Sequence, residues 1–193
     1  MKPNPNPQRL RSSSLLASLA LLAIPGCGDS GPAANPPPAG PSPAAARVVE
    51  ARPAGPALSV VAVRKTASPG DKVVVEGRIA GIKHPFSESF AILTLADDSL
   101  QTCDRTPGDN CPTPWDACCE DPGVLAATRV TVQLVGADGS PLEGTLKGVN
   151  GLAELDHIAV TGSVSPLSTP DNFLIDAATL HKIPKNPPSN DNE

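Results

Sequence analysis

Residues 71–182 contain five segments whose pattern of apolar and polar positions is that of β-strands. In residues 128–135, the clearest of them, Val130, Val132 and Leu134 alternate with polar neighbours, as in a strand with one buried face. Residues 90–96 are nearly all apolar, which favours a more deeply buried strand. The pattern therefore predicts strands over residues 71–82, 90–96, 128–135, 156–164 and 172–182.

Turn-forming residues separate these segments, and one connection has room for a short helix. Ser68-Pro69-Gly70-Asp71 precedes the first strand, and similar Gly- and Pro-containing stretches follow the third and fourth. Between the third and fourth strands a helix is predicted over residues 151–155, although the glycines Gly144, Gly148 and Gly151 disfavour it.

Five strands with a short helix between the third and fourth resemble the OB-fold barrel. Gly77 interrupts the first strand, where a small closed barrel requires a sharp bend. Residues 152–164 resemble the turn into the fourth strand of that fold. The resemblance implies an all-β fold: a small five-stranded OB-like barrel with a short helix and a long cysteine-containing loop between strands 2 and 3. A small β-sandwich is the alternative.

The start of the chain has the layout of a bacterial lipoprotein signal. Three basic residues precede an apolar run over residues 15–24, which is shorter than the roughly 20 residues that span a bilayer. Ile24 and Gly26 before Cys27 resemble a lipobox, although Pro25 departs from the usual Ala or Ser. Plain secretion and a cytoplasmic protein are the alternatives.

The chain thus resembles bacterial lipoproteins with an OB-fold domain of the nucleic-acid-binding type. This resemblance implies acylation of the Cys27 thiol, a lipid anchor of the palmitate kind, and attachment to the cell membrane. The expected location is extracytoplasmic, in the periplasm or on the cell surface.

Composition divides the chain into four parts. Residues 1–27 form the predicted signal peptide with its lipobox cysteine, and residues 28–57 a Pro/Ala/Gly-rich linker predicted to be disordered. Residues 58–183 form the predicted OB-like β domain, and residues 184–193 a polar tail also predicted to be disordered. Because proline fixes φ and removes backbone donors, the linker is expected to act as a semi-stiff spacer.

Negative charge is concentrated in one loop of the predicted domain. Once the residues before Cys27 are removed, 12 basic and 20 acidic residues remain, a net charge of −8. Residues 97–122 hold seven of these acids against one base, Arg105, while the rest of the domain is balanced.

The same loop contains four cysteines: Cys103, Cys111, Cys118 and Cys119. Thiols oxidise outside the cytoplasm, so an even number favours two structural disulfides. Because a bond between adjacent cysteines is strained, two pairings remain: Cys103–Cys118 with Cys111–Cys119, or Cys103–Cys119 with Cys111–Cys118.

Three other hypotheses compete for this loop. Four thiolates can hold zinc, although adjacent ligands fit such a site poorly. A redox-active Cys118–Cys119 pair is the second, but no neighbouring base lowers a thiol pKa. The third is a calcium site made of hard oxygens, with the candidate ligands Asp104, Asp109, Asp116, Glu120 and Asp121.

Trp115 is the single tryptophan and lies inside the cysteine loop. One interpretation is that it packs on the disulfides or on the barrel. The other is that it is an exposed anchor for a partner, a role in which tryptophan is enriched.

Catalytic chemistry is not evident in the sequence. The three histidines are dispersed, and neither a nucleophile motif nor a glycine-rich phosphate loop is present. A basic groove with stacking aromatics is also missing, which argues against nucleic acid as a partner. We therefore expect a protein that is not an enzyme and needs no cofactor.

The predicted function is that of a membrane-anchored, non-enzymatic binding or scaffolding module that acts through its OB-like domain. An envelope protein or a glycan is the expected partner, and the sequence leaves the oligomeric state open. The alternatives are a metal-binding envelope protein using the acidic cysteine loop 97–122, and oligonucleotide or glycan binding on the OB face.

Overall fold

The structure is a computed structural model that describes residues 43–184. The predicted signal peptide with Cys27, the first part of the predicted linker and the tail from residue 185 lie outside the described residues. Within residues 43–184, no helix has the length and apolar character needed to cross a membrane.

Seven strands and two α-helices make up the described residues. The helices are α1 (Val60–Thr66) and α2 (Pro122–Thr128), and short 3₁₀ turns occur at Ala45–Arg47, Cys103–Arg105 and Val149–Gly151. The strands are β1 (Val48–Val49), β2 (Leu58–Ser59), β3 (Lys72–Ile79), β4 (Ile92–Ala96), β5 (Arg129–Leu134), β6 (His157–Val164) and β7 (Leu174–Ile183).

The five longer strands close into a barrel in the order β3-β4-β5-β7-β6, with β6 pairing back onto β3. All of these pairings are antiparallel except β5 with β7, which is parallel. The chain is therefore an all-β, OB-like barrel, and the predicted fold class is confirmed. The predicted strands match the five observed ones, with ends that differ by up to three residues.

The barrel interior consists of aliphatic side chains on the predicted inward positions. Val130, Val132 and Leu134 of β5 are buried, as are Ile158 and Val160 of β6. One expectation fails at the start of β4, since Phe90 lies before the strand and is 43% exposed. It forms an isolated bridge with Glu143 rather than entering the core.

Gly77 marks the place where β3 changes partners. Residues 72–78 pair with β6, while Arg78 and Ile79 pair with β4, so the strand turns from one neighbour to the other beside the glycine. A Cβ at Gly77 would lie 2.4 Å from the carbonyl oxygen of Ala96 on β4. Glycine is thus required by close approach of two backbones.

The helix expected over residues 151–155 is not formed. A 3₁₀ turn over Val149–Gly151 takes its place, with left-handed backbone at Gly148 (φ 81°) and Asn150 (φ 46°). Leu146 and Leu152 on either side of the turn are fully buried. The connection therefore fills the core with two leucines on an irregular backbone, which the glycines permit.

Helix α1 was not predicted, because its sequence begins with Val60-Val61 and β-branched residues have low helix propensity. Tertiary contacts override this preference. Val60 and Val63 are fully buried in the core, and the N-cap Ser59 accepts a hydrogen bond from the Ala62 N–H at 3.2 Å.

The predicted linker extends too far, because residues 43–57 carry contacts to the barrel. Ala44 and Val48 are buried in the main core, and β1 pairs in parallel with β7 at Leu180 and His181. The side-chain amide of Asn150 donates to the Val48 carbonyl oxygen at 2.9 Å. Two-residue strands are too short for period-two patterning, which is why composition alone assigned this segment to a spacer.

Candidate functional site

Residues 97–122, here called the Cys loop, are ordered against the outside of the barrel. The loop contains the 3₁₀ turn Cys103–Arg105 and leads into α2, whose N-cap Asp121 accepts from the Gly123 N–H at 2.8 Å. The predicted long loop between strands 2 and 3 is therefore present, and the chain from Pro122 to Thr128 forms α2 before β5 begins.

A partly buried ion pair fastens the Cys loop to β3. The Arg78 guanidinium donates to Asp104 Oδ2 at 2.7 Å and to Thr102 Oγ1 at 3.2 Å. Burial alone raises the pKa of Asp104, but hydrogen bonds from Thr102 and Arg78 lower it below its ordinary value. Arg78 is buried although it is charged, because the loop lies over it.

Trp115 joins the loop to a second, smaller hydrophobic cluster on the barrel wall. Its ring packs against the buried cluster formed by Ala80, Ala96, Leu100 and Ala117. The indole N–H donates to the Lys83 carbonyl oxygen at 3.0 Å, and the Trp115 carbonyl accepts from the Gly81 N–H at 2.7 Å. These contacts agree with the interpretation that Trp115 packs on the barrel. The side chain is half-buried, and its role as an anchor for a partner stays a prediction.

Three of the four loop cysteines lie together. The Sγ atoms of Cys103, Cys111 and Cys118 are all within 4.8 Å of one another, and Cys103 Sγ and Cys118 Sγ are 3.9 Å apart. Cys119 Sγ is 3.9 Å from Cys118 Sγ but lies outside this triad. All four thiols are free and beyond the roughly 2.05 Å of an S–S bond, so the two disulfides stay a prediction.

The predicted acidic calcium site is not assembled. Among residues 43–184, the thiol triad is the single group of three or more His, Cys, Asp or Glu side chains that meets the distance required of a shared metal site. Asp104 binds Arg78, Asp109 accepts from the Cys111 N–H, and Asp116 accepts from the Ala117 N–H. These carboxylates therefore stabilise local backbone, as Asp does in turns, instead of converging on an ion.

A second candidate site is a groove across the outer face of β4 and β5, lined in part by Leu125 and Ala126 of α2. Thr94 and Thr131 are directly paired on these strands and form its floor. Its volume is about 160 Å³, room for one charged group or one sugar ring. We call it the arginine groove; its lining includes Arg64 of α1, Arg129 of β5, Ile82, Leu125, Asp171, Asn172 and Phe173.

Backbone carbonyl groups hold both arginines in place. Arg64 donates to the carbonyl oxygens of Arg129, at 3.0 Å, and Pro170, and its guanidinium lies 5.3 Å from the centre of the Phe173 ring. Arg129 donates to the carbonyl oxygens of Leu125, at 3.0 Å, and Gly81, at 2.8 Å. The guanidiniums are thus held by neutral hydrogen-bond acceptors and not by ion pairs.

The electrostatics of the groove favour a negatively charged ligand. Within the part of the chain described, neither arginine has a carboxylate oxygen within 4.0 Å. Burial and then the charge of Arg129 lower the pKa of Arg64, an effect that Asp171 at the groove partly opposes. Burial likewise lowers the pKa of Arg129, an effect that the negative charge of Asp116 partly opposes. A bound anion would relieve both effects.

Sequence reasoning missed this pair. Arg129 is a polar neighbour of the buried positions of β5, but Arg64 lies on a helix that the sequence did not predict, and 65 residues separate the two. Family models, curated proteins and solved structures yield no match for the chain.

Proposed function

We propose that the protein is an extracytoplasmic lipoprotein, anchored through Cys27, whose OB-like barrel is a non-enzymatic module that binds an anionic glycan. The observation that supports the ligand class is the pair of guanidiniums in the arginine groove without an ion-pair partner among residues 43–184. The groove lies on the β4–β5 face, and the corresponding second and third strands of OB folds carry the surface that binds oligosaccharides and oligonucleotides.

Charge and shape together favour a glycan over a nucleic acid. The groove offers two planar cations, the hydroxyls of Thr94 and Thr131 and the amide of Asn172, a set that suits the carboxylate and hydroxyls of an acidic sugar. Phe173 is the one aromatic ring in the lining, and Arg64 already covers it. A stacking platform for successive bases therefore has no counterpart here.

The test is a titration of the full-length protein, in detergent, with an oligouronate hexamer. We expect binding that weakens as salt is added, and a loss of affinity of at least about tenfold in both Arg64→Gln and Arg129→Gln, because each removes a charge-assisted contact. Lys65→Gln is the matched control: it removes the same charge from the next, exposed residue of α1 and should change affinity by less than about twofold.

Two measurements on the wild-type protein, chemical protection of the arginines and comparison with a neutral oligosaccharide, keep the test decisive if a variant does not fold. In the wild-type protein, bound oligouronate should protect Arg64 and Arg129 from phenylglyoxal, as read from peptide masses. Equal binding of a neutral oligoglucan hexamer, or unchanged affinity in both arginine variants, would contradict the proposal. Tighter binding of a dT12 single strand would favour the oligonucleotide alternative instead.

The anchor is checked separately by the mass of the mature N-terminal peptide.

A further inference from the structure

We propose that Cys103, Cys111 and Cys118 form a binding site for one thiophilic closed-shell cation, Zn²⁺ or Cu⁺. The three Sγ atoms converge on one point, all within 4.8 Å of one another, although Cys103 is 15 residues from Cys118 along the chain. This site is separate from the arginine groove, and it uses thiols that the proposed glycan binding does not involve.

The spacing of the sulfurs is that of ligands around a single ion. Metal–thiolate bonds of about 2.3 Å place two sulfurs of a tetrahedral or trigonal site roughly 3.8–4.0 Å apart. Cys103 Sγ and Cys118 Sγ are 3.9 Å apart, and Cys111 Sγ lies close to both. Two disulfides would require two separate pairs, whereas the loop brings three sulfurs together and leaves Cys119 at the side.

Backbone N–H groups at Cys103 and Cys111, and at the residue before Cys118, make hydrogen bonds within the Cys loop. The Cys103 N–H donates to the Asp116 carbonyl oxygen at 2.8 Å, and the Cys111 N–H to Asp109 Oδ1 at 2.8 Å. Cys118 follows the buried Ala117, whose N–H donates to Asp116 Oδ1 at 2.8 Å. The ligand set is therefore largely formed before an ion arrives, which lowers the entropic cost of binding.

The charge of the Cys loop favours a cation as the ligand. The surrounding carboxylates, with Arg105 as the one base of the loop, attract a cation to this end of the barrel.

The predicted disulfides and the cation exclude each other, because a Cys103–Cys118 bond would use two of the same three sulfurs. The vicinal partner Cys119 provides the discriminating control. Both cysteines of the Cys118-Cys119 pair are exposed, but Cys118 alone belongs to the triad. A cation site therefore depends on one of two adjacent cysteines and not on the other.

The experiment is a metal titration of the full chain carrying Cys27→Ser, so that every remaining thiol belongs to the loop. The protein is reduced, freed of metal with a chelator and titrated anaerobically, in one arm with Co²⁺ followed by Zn²⁺ and in a second arm with Cu⁺. We expect one ion per chain and thiolate-to-cobalt charge-transfer absorption, lost on addition of Zn²⁺. Direct competition between Zn²⁺ and Cu⁺ for the protein then shows which ion the site prefers.

Substitutions then locate the site. Cys103→Ser, Cys111→Ser and Cys118→Ser should each weaken binding by more than about tenfold, whereas Cys119→Ser should stay within about twofold of the parent. As a readout independent of variant folding, bound metal should protect Cys103, Cys111 and Cys118 of the parent protein from iodoacetamide and leave Cys119 reactive. Failure to take up either ion stoichiometrically, or uptake that survives in the three triad variants, would overturn the proposal.

Discussion

Asp97 connects the end of β4 to the first turn of α1. Its carboxylate stabilises a helix whose first residues have low intrinsic helix propensity. Its Oδ2 accepts from the Val61 N–H at 2.8 Å, and its Oδ1 accepts from the Ser99 N–H and hydroxyl. Burial alone raises the pKa of Asp97, but these hydrogen bonds lower it below the ordinary value. A helix that begins with two valines is thus capped from 36 residues away.

We predict that Asp97→Ala destabilises the fold by about 2 kcal/mol, because the Val61 N–H loses its buried acceptor. The neighbouring Asp98→Ala should cost less than about 1 kcal/mol, since Asp98 is 58% exposed and its partners Arg105 and His157 can be solvated. Urea unfolding of both variants measures the difference. Equal losses would mean that Asp97 does not cap α1.

At the scale of elements, the Cys loop behaves as an added layer on the barrel. Arg78 and Asp104 fasten one end of the loop to β3, and Trp115 packs its middle onto the smaller hydrophobic cluster. This explains why an acidic segment with four cysteines adopts a defined conformation between β4 and α2, whether its sulfurs are joined or bind an ion.

The Asp104 contact has a defined pH dependence. Its pKa is lowered in the folded protein, so its stabilising contribution is fully present above the unfolded value of about 3.9 and is lost as the pH falls through the lower folded value. We therefore expect the emission of Trp115, the single tryptophan, to shift to longer wavelength below about pH 4.

Asp104→Asn should produce much of that shift already at pH 7. Glu120→Gln serves as control, because no cation lies within 4.0 Å of Glu120 among the described residues. Identical emission from the two variants across the titration would show that the ion pair does not hold the loop.

For the whole molecule, residues 43–59 add two short strands to the edges of a barrel that the five longer strands already close. β1 occupies the edge of β7 beyond its pairing with β5, and β2 occupies the edge of β3 before its pairing with β4. Ala44 and Val48 add their side chains to the main core. The domain therefore includes residues 43–57, which composition assigns to a spacer.

A chain that begins at Leu58 should accordingly be less stable than one that begins at Pro43, by about 2–4 kcal/mol, because Val48 and Ala44 lose their buried contacts. Urea denaturation of the two chains checks this. Within the longer chain, Val48→Ala should reproduce part of the loss, and Glu50→Ala, at an exposed position, should not. Equal stability of the two chains would show that residues 43–57 do not contribute to the stability of the domain and act only as a spacer.

The amino-acid sequence alone determined the five barrel strands, their inward faces and the need for glycine at position 77. These depend on period-two burial and local backbone geometry, which neighbouring residues encode directly. It also predicted the lipid anchor at Cys27, which lies outside the described residues. Tertiary structure decided α1, the short strands β1 and β2, the ordering of the Cys loop, the thiol triad and the arginine groove. Each of these depends on contacts between residues that are distant along the chain. The local pattern of apolar and polar residues does not specify which distant residue makes the contact.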